Sequence, residues 1–104
     1  MTNLDACFLA LADPTRRRIF ENVSRRPRAV RDLARVVPVS RPAVSQHLKV
    51  LSAAGLVRAE AQGTRRIYRL EQRGLLVLRV YFDQFWNQAL ANLKAAAETK
   101  GDSV

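Results

Sequence analysis

A chain of 104 residues with 48% hydrophobic and 26% charged side chains makes one globular domain with a core of modest size, and excludes a disordered segment. Its single cysteine excludes an internal disulfide framework and any multi-thiolate zinc site within one chain. The formal net charge is +9 and unevenly placed: residues 16–73 hold 15 Lys and Arg against four acids, Glu21, Asp32, Glu60 and Glu71. The two flanks together carry three bases and five acids. Such a basic middle implies a polyanionic partner, nucleic acid first, with ribosomal and membrane-surface proteins sharing the balance. No apolar run approaches about 18 residues and the start has no signal-peptide pattern, so a soluble, cytoplasmic protein is expected.

The chain opens with a short helix over 3–11, with Leu4, Cys7, Phe8 and Leu11 on one side. Asp13-Pro14 starts a second helix, Asp as N-cap and Pro at the first helical position, running to about Arg25 with Ile19, Phe20 and Val23 inward. Arg16 falls at the edge of that apolar face and reads as a structural arginine. Arg17 and Arg18 point elsewhere, free to meet phosphate. Arg25-Arg26-Pro27-Arg28 reads as a basic loop.

The next helix, 30–37, places Val30, Leu33, Ala34 and Val37 on one face and is stopped by Pro38. Ser40 then caps a helix that reaches Leu51, with Pro42 in its first turn. Val44, Leu48 and Leu51 form its apolar stripe. Arg41, Pro42, Ser45, Gln46 and Lys49 form the opposite face, which is rich in hydrogen-bonding groups and carries no acid. Two helices joined through Pro38-Val39 make a helix-turn-helix over 30–54, whose second helix suits the major groove of DNA. His47 lies at the flank of that helix and reads as a packing or phosphate-contact residue.

Gly55 ends the helix in the left-handed conformation. Residues 56–60 and 65–70 read as strands around the turn 61–64, a hairpin wing over 56–70. Arg65 and Arg66 near its tip are placed to reach the DNA backbone or the minor groove. A long helix follows over 72–98, with Leu75, Phe82, Trp86, Ala89, Leu93 and Ala96 close to a coiled-coil seam, widened by Leu78, Phe85 and Leu90. That is more apolar surface than so small a domain covers by itself. A symmetric dimer through the first and last helices is expected, with Leu4, Phe8, Leu75, Phe82, Phe85, Trp86, Ala89 and Leu93 at the interface. The alternative is that the stripe folds back on its own core. Residues Thr99 to Val104 are expected to fray. The expected architecture is mainly α with a small β-hairpin, in the order α-α-α-α-β-β-α.

The phrases Phe8-Leu9-Ala10-Leu11-Ala12-Asp13-Pro14-Thr15-Arg16-Arg17, Arg41 through Leu51, Ala54-Gly55-Leu56-Val57 and Gly63 through Leu70 together resemble the ArsR/SmtB family, over roughly residues 4–98. The resemblance implies a homodimeric winged helix-turn-helix repressor that binds double-stranded operator DNA and is released by a signal. It implies Arg41, Pro42, Ser45 and Gln46 at base edges or adjoining phosphates, Lys49 on the backbone, and the wing in the neighbouring minor groove. Ser40, Arg41, Pro42, Ser45, Gln46, Lys49, Arg65 and Arg66 are thus the candidate DNA-binding residues.

The sensor departs from the family pattern. Where metal-sensing members carry a Cys-x-Cys-type pair, this chain reads Val30-Arg31-Asp32-Leu33-Ala34, and its last helix holds no His and only well-separated carboxylates, Asp83 and Glu98. A transition-metal site needs about four converging ligands. No metal and no cofactor is expected, and the release signal is read as something other than a metal. Tyr81-Phe82-Asp83-Gln84-Phe85-Trp86 resembles the branch that lacks metal sites. Cys7 reads as a buried, inert thiol; its alternative is a redox-responsive repressor with a disulfide between the two copies of Cys7. Trp86 and Phe82 read as interface core, with a ligand pocket as their alternative.

Two rivals differ in class. A winged helix used for protein or RNA contact would carry acids or large apolar groups on the outer face of its second helix, which this chain does not. An enzyme is set aside: there is one His, one Cys, no usefully spaced carboxylate pair and no phosphate-cradling glycine loop.

Overall fold

The computed structural model describes the backbone of residues 1–102 and the side chains of residues 1–99. Eight elements follow in the order α1 (Asn3–Ala12), α2 (Pro14–Arg25), β1 (Arg28–Ala29), α3 (Val30–Val36), α4 (Arg41–Ala53), β2 (Val57–Gln62), β3 (Arg65–Leu70) and α5 (Gln72–Asp102).

Local chemistry sets the helix ends. Thr2 and Asp5 form a reciprocal capping box at α1: Thr2 Oγ1 accepts from the Asp5 N–H, and Asp5 Oδ2 accepts from the Thr2 N–H. Asp13 closes α1 and opens α2, its Oδ2 accepting the Arg16 N–H at 2.8 Å with Pro14 beside it. The carbonyls left over at the end of α1 find arginines. Arg16 donates to Ala10 and Leu9, at 2.6 and 2.8 Å, as expected of a structural arginine. Arg17, expected to be free for phosphate, instead donates to the Leu11 carbonyl at 2.8 Å. A guanidinium near a helix C-terminus gains both a hydrogen bond and a favourable dipole.

The core lies between α1, α2, α3 and α4, with the sheet and the start of α5 packed onto it. Ile19, Leu33, Val44, Leu48, Leu51 and Leu56 are all fully buried. Each such side chain contributes about 1.5–3 kcal/mol through burial. The buried polar residue Asn22 donates its Nδ2–H to the Arg18 carbonyl at 2.8 Å. At the end of α4, Gly55 N–H donates to Ser52 and Leu56 N–H to Leu51, both at 3.0 Å, with Gly55 at φ 75°. This pair of bonds is a Schellman cap, and its left-handed position needs glycine.

Three further expectations are corrected. Residues 25–28 are not all loop: Arg28 and Ala29 form β1, which pairs antiparallel with β3 through Arg28↔Tyr68 and Ala29↔Ile67. The wing is therefore part of a three-stranded sheet in the order β1-β3-β2. A two-residue strand is too short to show a period, so only its partner reveals it. The hairpin turn is tighter than 61–64: Gln62 pairs with Arg65, leaving Gly63-Thr64 as a two-residue turn with Gly63 at φ 63°. The tail expected to fray from Thr99 is helical through Asp102, and residues 103–104 lie outside the described residues.

Helix α5 leaves the body of the domain. Leu78 is in the core and Leu75 packs against it, but every side chain from Phe82 to Thr99 is exposed. At 31 residues α5 is about 46 Å long. The radius of gyration is 18.8 Å, against about 13 Å for a compact chain of this length. From Phe82 onward the apolar stripe has not folded back on its own core. Among the described residues, no helix is long and apolar enough to cross a membrane.

Candidate nucleic-acid interface

The exposed side of α4 is built from its cap outward. Ser40 Oγ accepts the Ala43 N–H at 3.3 Å, which fixes the first turn. Because Val44, Leu48 and Leu51 are drawn fully into the core, the opposite face must turn outward. Arg41, Pro42, Gln46 and Lys49 are exposed and Ser45 is half-buried. Among the described residues, Arg41 and Lys49 have no carboxylate within 4 Å. The face thus presents cations, an amide and a hydroxyl with no side-chain partner among the described residues.

A cleft of ≈ 640 Å³ separates α4 from the hairpin. It brings Ser45 and Lys49 of α4 together with Arg66 of β3, three of the residues singled out in the sequence. Arg58 of β2 and Arg73 of α5 also line it. Sequence reasoning passed over both, since Arg58 sits inside a strand pattern and Arg73 in a helix start. Arg65 does not join this group. Neighbouring strand residues point to opposite faces, and Arg65 instead meets Asp32 of α3 at 3.3 Å while staying half-exposed.

Other candidates fall elsewhere. Cys7 is fully buried, its Sγ 3.4 Å from the Ala54 carbonyl and 3.7 Å from that of Gly74. Burial pushes its pKa up, with Arg73 opposing. The thiolate is the reactive form of cysteine, so this environment suits the inert reading over a redox switch. His47 is half-buried. It adds to the pull that holds Asp13 below the usual carboxylate range, which comes first from the Arg16 N–H. Among the described residues, no three of His, Cys, Asp and Glu come together in a group that could hold a metal ion.

The expected interface residues divide. Leu4 and Leu75 pack against the core of their own chain. Phe8, Phe82, Phe85, Trp86 and Leu93 are large apolar side chains that remain exposed, and Trp86 reaches 65%. Ala89 lies exposed among them. Leu9, Leu76 and Val80 are also left exposed, as is Leu90, already expected to widen the stripe. Tyr81 stitches it together: its ring meets Phe8 at 5.4 Å and Phe85 at 4.9 Å, edge to face, joining α1 to α5.

Comparison with known proteins agrees with this arrangement. Residues 11–60 match the helix-turn-helix domain family. The HTH-type transcriptional regulator Rv2034 of Mycobacterium tuberculosis is 51% identical over 100 residues, covering 96% of this chain and 94% of that one. An ArsR-like transcriptional regulator from Rhodococcus sp. RHA1 matches with a TM-score of 0.72 and 33% identity, covering 91% of this chain and 92% of that one. The homodimeric winged helix-turn-helix DNA-binding domain of Mb0332 from Mycobacterium bovis, a possible ArsR-family regulator, gives a TM-score of 0.65 at 26% identity, with 83% of each chain covered. A basic second helix over an apolar stripe, a hairpin beside it and matching relatives along nearly the whole length lead to one assignment: the chain belongs to the ArsR/SmtB family of winged helix-turn-helix transcriptional regulators.

Proposed function

We propose that this chain is a homodimeric repressor, working in the cytoplasm, that binds a two-fold symmetric operator in double-stranded DNA and is released by a signal other than a metal. The observation that carries DNA binding is the outward face of α4, which presents Arg41, Ser45, Gln46 and Lys49 and brings Ser45 and Lys49 to one cleft with Arg66 of the hairpin. In this reading Gln46 and Arg41 meet base edges, Ser40, Pro42, Ser45 and Lys49 meet or adjoin the backbone, and Arg65 and Arg66 enter the neighbouring minor groove. Arg65 exchanges Asp32 for phosphate or groove, a trade made easy because an exposed ion pair is worth only about 0–1 kcal/mol.

Dimerisation is supported by the contiguous patch from Phe82 to Leu93, which a monomer would leave in water, and by the homodimeric state of Mb0332. Repression is what the family resemblance implies for a protein seated on promoter DNA. A non-metal signal fits the scattered positions of Cys7, His47 and the carboxylates of α5.

Footprinting on the region upstream of its own gene tests the reading. Protection of two related half-sites about one helical turn, 10–10.5 base pairs, or a multiple of it apart is expected of a symmetric dimer. Protection without any site preference contradicts it.

A further inference from the structure

The cleft between α4 and the hairpin holds more positive charge than the sequence motifs account for. Lys49, Arg58, Arg66 and Arg73 line it, against the single carboxylate of Glu71. They arrive from four separate elements, so the convergence is a product of the fold and not of a local run. Arg73 lies over the cap of α4, where a Cβ on Gly55 would stand 2.8 Å from its guanidinium carbon. Arg58 is paired with Glu60 at 3.3 Å and Glu71 at 3.8 Å, its side chain still largely exposed.

The position of the cleft identifies what it takes. The major and minor grooves of a duplex are separated by one sugar-phosphate strand. A domain with α4 in the first groove and its hairpin in the second must have that strand passing over the space between them. We infer that the cleft is a phosphate-binding subsite for this strand, in which Arg58 and Arg73 are further DNA-binding residues and Glu71 is a displaceable lid on Arg58. The subsite rests on the DNA-binding reading above.

In the free protein Glu71 occupies Arg58; on the duplex a phosphate oxygen takes its place. Glu71 also accepts the Arg73 N–H at 3.3 Å, a bond that glutamine in its place retains. Neutralising Glu71 therefore removes one of the two carboxylates on Arg58, leaving Glu60, without undoing the start of α5. The subsite touches only backbone, so it acts on every sequence alike.

The test measures anisotropy on an operator duplex and a scrambled duplex across a salt series, for wild type and for Arg58→Gln, Arg73→Gln and Glu71→Gln, after thermal melting confirms each fold. Each arginine variant should weaken both duplexes by the same factor, several-fold, and flatten the salt slope by about 0.9. Glu71→Gln should tighten both. Unchanged slopes in the arginine variants, while Lys49→Ala weakens binding, overturn the subsite and leave the DNA-binding reading standing. Failure of wild type to bind any duplex overturns that reading and the subsite with it. Inorganic pyrophosphate supplies the last arm. If it raises the melting temperature of wild type but not of Arg58→Gln, and the DNA slopes do not move, the cleft takes a free anion and the inference is wrong.

Discussion

Gly74 gives its backbone N–H to the carbonyl of Gly55 at 2.8 Å, so α5 begins in backbone contact with the cap of α4. A Cβ at Gly74 would stand 2.6 Å from the Ala54 carbonyl oxygen and 2.8 Å from that of Gly55, neither of which is free to swing aside. Alanine normally stabilises a helix over glycine by roughly 0.5–1 kcal/mol. Here the contact reverses the sign. Gly74→Ala should lower stability by about 1–3 kcal/mol in urea unfolding, as overpacking does; a stabilised variant would show that the two helices are not so closely joined.

Cys7 packs into the same junction, against the carbonyls of Ala54 and Gly74. Its native thiol should resist iodoacetamide and react readily once urea unfolds the chain. Its raised pKa adds a pH dependence. A thiol held protonated in the folded state contributes stability below the ordinary value of 9.0 and loses it as pH climbs through the folded value. Cys7→Ala should therefore flatten the alkaline fall of the melting temperature. Equal alkylation rates in native and unfolded protein would contradict this burial.

At the acid end the sign is opposite. Asp5 and Asp13 are held below the ordinary 3.8 chiefly by the backbone N–H groups of Thr2 and Arg16. Their contribution is present above that value and disappears as pH falls through the lower, folded values. Asp13→Asn keeps a side chain able to cap α2 and should shrink the acid-side loss of melting temperature. An identical acid profile would mean that the cap carries no charge-dependent share.

The α4 cap is neutral and follows another rule. Ser40→Ala removes the acceptor for the Ala43 N–H and should cost about 1 kcal/mol in urea unfolding, within the 0.5–2 kcal/mol spread of such caps. No change would mean that water serves that N–H equally well.

What could be read beforehand was what the chain writes locally. The caps at Asp13 and Ser40, the stripe Val44-Leu48-Leu51 and the left-handed Gly55 depend on neighbours within a turn or two, and all are found in place. The rest depends on residues far apart. Strand β1 exists because β3 lies beside it; Arg17 is occupied because α1 ends next to α2. Arg58 and Arg73 reach one cleft only after the hairpin and α5 have packed. Helical periodicity gave the direction of the apolar stripe on α5, but not that Leu75 and Leu78 serve the chain's own core while Phe82 and Trp86 do not.

Trp86 is the only tryptophan, 65% exposed on the single chain and central to the unpartnered patch. Its emission should shift to the blue as concentration rises, in step with dimer formation by light scattering. Trp86→Lys should yield monomers and weaken operator binding. A monomer of unchanged emission at all concentrations would remove the patch from the interface.

The most direct test of DNA recognition by α4 is fluorescence anisotropy on an operator duplex and a scrambled duplex, comparing wild type, Gln46→Ala and Lys49→Ala. Wild type should prefer the operator. Gln46→Ala should lose about 1–3 kcal/mol on the operator and little on the scrambled duplex, while Lys49→Ala weakens both alike. Equal losses on both duplexes for Gln46→Ala, or no effect of either change, would contradict recognition through this face of α4.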